Sequence, residues 1–274
     1  MNGKIILITT VLALAAGNAA ALTEAEEWYN EGYYYKGEGE YEKAIECYDK
    51  ALGLDPELTK AWNVKGFSLA ELDEYDEAIE CYDKALELDP EDEYAWYGKG
   101  NAFIGLDEYD EAIECYDKAL ELDPEDEYAW YGKGYAFVDL GEYDEAIECY
   151  DKALELDPED AYAWAGKGTT FFYLSEYNEA IECLDRALEL DPEDAYAWNN
   201  EGTAFVYLGE YNEAIECYDK ALELDPGFAE AWEGKGRALS GLGKYDEASE
   251  CYKKAHELDP QYEIPDIDDI NGSE

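Results

Sequence analysis

The chain has 274 residues and a formal net charge of −52, from 71 acidic against 19 basic side chains. Such a field repels phosphate, which excludes nucleic acid as a partner. It favours cationic partners, screening cations or saline surroundings, and a solvated acidic face that only keeps the chain soluble is the plain alternative.

Residues 1–21 open the chain with Lys4, an apolar run from Ile5 to Ala16, and small residues ending in Ala19, Ala20 and Ala21. A basic start, a short apolar middle and a small-residue end make the layout of a cleaved secretory signal. The run falls short of the roughly 20 apolar residues of a comfortable membrane span, so an uncleaved anchor is the lesser reading. Cleavage removes Lys4 and no acid, leaving −53. No later segment reads as a span, and the mature chain is expected to be secreted or held in the cell envelope.

From there one period governs the sequence. Trp28, Trp62, Trp96, Trp130, Trp164, Trp198 and Trp232 stand 34 residues apart, each followed at a fixed offset by Gly32, Gly66, Gly100, Gly134, Gly168, Gly202 or Gly236. An Ala (Ala44 to Ala248) and a closing Pro (Pro56 to Pro260) recur in step. Residues 93–126 and 127–160 differ at only four positions. In the first of these, Trp96, Gly100 and Phe103 share one helix face, and Ala112, Tyr116, Ala119 and Leu120 share the face of a second. Leu106 to Tyr109 reads as a turn, where other copies carry the helix-ending Gly141, Gly209 and Gly243. Asp123-Pro124 stops the second helix. Each copy is a helical hairpin, and a hairpin that buries its face only against neighbours builds a stack.

These residues resemble the tetratricopeptide repeat, with its Trp, Gly, aromatic, Ala, aromatic and Pro at a 34-residue period. The resemblance covers 25–262 as repeats 25–58, 59–92, 93–126, 127–160, 161–194, 195–228 and 229–262, within a domain of 22–262. It implies an all-α fold, a right-handed superhelical solenoid of seven antiparallel helical hairpins, with small residues letting the helices approach. It also implies a concave groove lined by first helices that holds a peptide or protein segment. Three features depart from the pattern. Lys65, Lys99, Lys133, Lys167 and Lys235, or Glu31 and Glu201, replace the usual Leu before the Gly, their stems covering apolar surface while the charge reaches water. Leu184 replaces a second-helix Tyr, a conservative core change. The chain closes with an acidic tail, 263–274, and no capping helix, so the last hairpin is covered by Ile264, Ile267 and Ile270 or by a second copy of the chain.

The groove is the candidate site. Tyr94, Tyr128, Tyr162 and Tyr196 precede Trp by two residues, and Tyr29, Tyr97 and Tyr131 follow it by one. Tyr33, Asn101, Tyr135, Tyr173 and Tyr207 extend the strip. Amphipathic aromatic side chains suit a binding interface; the alternative is that they stack between repeats and stiffen the array. Gly98, Gly132, Gly166 and Gly234 interrupt predicted helices at a cost of about 1 kcal/mol each, making room for a ligand backbone or for neighbouring tyrosines. Carboxylate-clamping cations are absent from the strip, Lys60 and Arg237 excepted. A basic or aromatic segment therefore fits, drawn by cation–π contacts and long-range attraction. The rival function is a structural envelope protein that assembles end to end, its acids screened by divalent cations.

Other chemistry finds little support. Cys47 and its six repeat-mates should lie about one helix diameter apart, roughly 10 Å, beyond the ~7 Å a disulfide tolerates, and read as small, partly buried apolar residues of the second helix with their thiols unpaired in disulfides. Glu114 and Lys118 exemplify an i, i+4 pair in every repeat, a local helix support. The acid-rich turns, such as Glu87 to Glu93, lack the glycine-punctuated loop of a tight Ca²⁺ site, so no metal or cofactor is expected. His256 reads as a helix C-terminal surface residue, and no nucleophile, acid–base pair or phosphate loop points to an enzyme. Asn271-Gly272-Ser273 meets the N-glycosylation pattern.

Overall fold

The computed structural model describes residues 23–265, and every regular element among them is an α-helix. The reading of 1–21 as an export signal, Ile267, Ile270 and Asn271 lie outside the described residues. Fourteen helices form seven antiparallel hairpins: α1 (Glu24–Gly37) with α2 (Tyr41–Leu54), α3 (Thr59–Ala70) with α4 (Tyr75–Leu88), and α5 (Glu93–Gly105) with α6 (Tyr109–Leu122). Then follow α7 (Glu127–Leu140) with α8 (Tyr143–Leu156), α9 (Ala161–Tyr173) with α10 (Tyr177–Leu190), α11 (Ala195–Leu208) with α12 (Tyr211–Leu224), and α13 (Ala229–Gly241) with α14 (Tyr245–Leu258). The chain divides into two compact units between Leu122 and Asp123. In each, a second helix packs on the next first helix, and successive first helices also touch, making one continuous first-helix face per unit.

Local chemistry sets the boundaries. Asp126, Asp160 and Asp194 cap first helices, each Oδ1 accepting two backbone N–H groups, and Asp92 accepts one. Such caps are worth about 1 kcal/mol apiece. Gly141, Gly209 and Gly243 turn the chain between helices at φ 73–78°, a left-handed conformation that suits a residue without Cβ. Asp73, Asp107 and Ser175 hold the same turn in three other hairpins at φ 59–64°. Each indole from Trp62 to Trp232 donates to the carbonyl of the proline six residues earlier, as Trp96 Nε1 does to Pro90 at 3.1 Å. Trp thus ties the inter-hairpin turn to the helix that follows it.

Inside each hairpin the repeat glycine meets the buried second-helix ring: a Cβ on Gly100 would lie 2.8 Å from Tyr116, and one on Gly32 2.6 Å from Tyr48. Tyr48, Tyr82, Tyr116, Tyr150, Tyr218 and Tyr252 are all buried. At roughly 150–250 Å² per ring and ~25 cal/mol/Å², each contributes several kcal/mol. The interrupting glycines serve the same rings across the next interface. A Cβ on Gly98 would lie 2.5 Å from Tyr82, on Gly166 2.7 Å from Tyr150, and on Gly234 2.4 Å from Tyr218. At Gly98, Gly166 and Gly234, of the two readings, the room is taken by tyrosines of the preceding hairpin.

Two ion-pair expectations are corrected. From the second hairpin on, the cation of this pair turns forward, not back: Lys118 meets Glu121 at 2.6 Å and Arg186 meets Glu189 at 2.6 Å, both i, i+3. The lysines that follow Trp by three residues do not send their charge to water. Lys65, Lys99, Lys167 and Lys235 donate to Asp49, Asp83, Asp151 and Asp219 of the preceding hairpin at 2.5–2.6 Å. The ammonium of Lys99 also lies over the Trp96 and Phe103 rings at 5.8 and 5.6 Å. These bridges pin one hairpin to the next. The seven cysteines are buried and form no disulfide with one another, and burial raises the pKa of Cys81, Cys115 and Cys183 to about 11.

Candidate functional site

The first-helix face sorts the strip residues by what they touch. Tyr94, Tyr128, Tyr162 and Tyr196, at the start of their helices, are 62–73% exposed. Tyr196 leans on Phe228 with ring centroids 4.9 Å apart. Tyr29, Tyr97 and Tyr131 are half-buried, each packed on the buried tyrosine of its own hairpin: Tyr48 at 6.1 Å, Tyr116 at 6.0 Å and Tyr150 at 5.8 Å. Tyr173 and Tyr207, near the helix ends, stack on Tyr143 and Tyr177 of the preceding hairpins at 5.5 and 5.0 Å. Tyr33 and Tyr135 are exposed. Asn101 accepts from the Tyr116 hydroxyl at 2.6 Å, which fixes it as that phenol's partner. Part of the strip therefore stiffens the stack, and part faces outward.

In the second unit these residues enclose a groove of about 720 Å³. Tyr131, Tyr135, Tyr162, Tyr173 and Tyr196 form its walls, and Ala165, Gly166, Thr169 and Asn200 its floor. Asp139, Asp191, Glu193, Asp194 and Asp225 complete the lining, which contains no Lys, Arg or His. The volume is that of a typical ligand cleft. The two cations of the strip lie elsewhere and are matched by aromatic rings: Lys60 sits 4.5 Å from the Tyr29 centroid, and Arg237 sits 5.7 Å from that of Tyr207 and 3.8 Å from Glu233. Among the described residues no cluster of His, Cys, Asp and Glu is arranged to hold a metal ion. No helix among them is long and apolar enough to cross a membrane. His256 is exposed near the end of α14, its Nδ1 2.9 Å from the Tyr262 carbonyl oxygen.

One junction carries residues whose importance the repeat pattern hides. Glu201 occupies the place of the bridging lysines, 3% exposed, beside Asp185 and the Cys217 thiol, its Oε2 buried without a hydrogen-bond partner among the described residues. Burial, then the Asp185 charge, raises its pKa to about 8. An acid pair thus replaces the Lys–Asp bridge between the fifth and sixth hairpins. Leu184 in the fifth hairpin is more than a conservative change: it removes the phenol that in the second, fourth and sixth hairpins faces a glycine of the next, Gly98, Gly166 or Gly234. Asn200 stands in that glycine's place, its Nδ2 donating to Thr169 Oγ1 at 3.1 Å. The signal was present in the sequence as correlated departures at Ala165, Leu184, Asn200 and Glu201.

Sequence models of the tetratricopeptide repeat match residues 64–127, 97–161, 25–58, 161–194, 195–228 and 229–262. No curated protein matches the chain. Among solved structures, the chain is similar to MamA, with 33% identity over 59% of this chain and 95% of that one at a TM-score of 0.54. It is similar to YrrB, described as a tetratricopeptide-repeat protein with an unusual peptide-binding site, with 30% identity over 67% and 95% of the two chains at 0.55. A tetratricopeptide repeat protein of Parabacteroides merdae shares the fold over 90% of this chain and 97% of its own, at 19% identity and a TM-score of 0.69.

Proposed function

Because the chain belongs to the tetratricopeptide-repeat family, whose members serve as scaffolds for protein or peptide partners, we propose that its first-helix face binds an extended, basic or aromatic segment without catalysis. The observation that carries this reading is the second-unit groove: tyrosine walls, five carboxylates and no cation in its lining. Cationic side chains are attracted to tyrosine faces and to the carboxylates together, and the wider acidic field speeds their approach. The likeness to YrrB, a peptide-binding repeat protein, supports the choice of ligand class. The signal-like layout of residues 1–21 supports a location outside the cytoplasm for the mature protein, and native protein starting at Leu22 would be the direct sign of it.

The test compares two baits in native envelope extract, the wild-type chain and a variant with Tyr94, Tyr128, Tyr162 and Tyr196 changed to Ala. These rings are largely exposed, so both proteins should match in helicity and unfolding midpoint. A captured segment, remade as a synthetic peptide, should bind wild type at least tenfold more tightly than the variant and weaken steeply with salt. Equal binding to both would reject the face.

A further inference from the structure

Hairpins three and four stack a first-helix tyrosine on a second-helix tyrosine, Tyr97 on Tyr116 and Tyr131 on Tyr150. The fifth hairpin lacks both rings, having Ala165 and Leu184 at these positions. Leu184 is completely buried, and Ala165, Thr169 and Asn200 line the groove. The first-helix ring is also missing from the second, sixth and seventh hairpins, which carry Asn63, Asn199 and Glu233 there, but the loss of both rings is particular to the fifth, and Ala165 lies in the lining of the groove. Tyr162 and Tyr196, both strongly exposed, stand over the gap, and Asp139 and Glu193 are at its margin. Asp194 is the cap of α11 and Asp191 accepts the Glu193 amide, so both are held in place by backbone.

We infer that the gap at Ala165 is an anchor pocket that receives one arginine or lysine side chain of the bound segment. This rests on the first-helix face being the binding face, and adds where the segment's register is fixed. Three features select the occupant. Tyrosine faces attract a cation, more strongly once it is desolvated. The carboxylates supply the countercharge, and a guanidinium or ammonium can donate to the oxygens of Asn200 and Thr169. An apolar side chain would strip water from these polar groups without replacing its hydrogen bonds. A hard dication would find aromatic walls in place of converging oxygens.

The probe is acetyl-Gly-Ser-Gly-Arg-Gly-Ser-Gly-amide, titrated into ¹⁵N-labelled full chain and followed by amide shifts, beside the peptide with neutral citrulline for Arg. The expected result is saturable shifts centred on Ala165, Thr169 and Asn200, at least tenfold weaker binding with citrulline, and at least tenfold weaker binding to Ala165→Tyr. That substitution restores a ring the chain already carries at Tyr97 and Tyr131. Ala165→Ser, which leaves the gap open, should bind like wild type and separates pocket filling from misfolding. Shifts spread evenly along the first helices and indifferent to Ala165→Tyr would overturn the anchor while leaving the face intact. Absence of any shift would overturn the anchor too, and the capture experiment would then decide the face on its own.

Discussion

Glu201 makes the fold sensitive to pH at one interface. Its ordinary carboxyl pKa of 4.5 is raised to about 8, first by burial and then by the charge of Asp185. Between those values the folded chain holds a proton that the unfolded chain has released. The sign follows: stability from this group is fully present below pH 4.5 and is lost as pH rises toward 8. The slope is about −1.4 kcal/mol per pH unit, so roughly 3 kcal/mol disappears between pH 5 and 7.5. The general repulsion of a −52 chain has the same sign, so wild type alone cannot isolate the site. Glu201→Gln does, because it keeps shape and hydrogen bonding but cannot ionise. Urea unfolding across pH 5 to 8 should show wild type losing about 3 kcal/mol more than Glu201→Gln. Glu201→Lys, which copies Lys99 on Asp83, should flatten the profile as well. Parallel profiles for wild type and Glu201→Gln would show that Glu201 is not protonated in the folded chain and would refute the reasoning.

Gly234→Ala puts a Cβ 2.4 Å from Tyr218 and should destabilise by about 1–3 kcal/mol. The additional change Tyr218→Leu, which imitates Leu184 facing Asn200, should make the Gly234→Ala cost smaller, so a double-mutant cycle in urea should give a coupling of about 1 kcal/mol or more. Ser175 holds φ 64° where Gly141 and Gly209 hold 78°, so Ser175→Gly should raise stability by up to about 1 kcal/mol, read as a higher urea midpoint. Trp164→Phe keeps the ring and removes the indole donor to Pro158, and should lower stability by about 1 kcal/mol in the same assay.

The hairpin was legible because its cause is local. Helical periodicity, the turn glycines and the closing prolines each act within a few residues, and Trp96, Gly100 and Tyr116 declare their roles by spacing alone. Contacts between hairpins were not legible in the same way. Lys118 has an acid at i−4 and another at i+3, both within reach on one helix, and spacing alone cannot choose between them. Lys99 finds Asp83 only because the stack sets the register of one hairpin on the next, a relation that no single repeat contains.

The site was half legible for a related reason. Tyrosines at different repeat positions look alike in the sequence, yet Tyr162 faces outward while Tyr131 lies on Tyr150 and Tyr173 lies on Tyr143. Leu184 alone reads as a hydrophobic exchange, and Ala165 alone as a weakened strip. Together they remove both members of the ring pair that Tyr97 forms with Tyr116 and Tyr131 with Tyr150. In an array of near-identical copies the shared residues specify the stack and cannot mark one place within it. Position along the stack is carried by correlated departures, and the fifth and sixth hairpins concentrate them: Ala165, Leu184 and Asn200 on the groove side, Glu201 with Asp185 at the interface between hairpins.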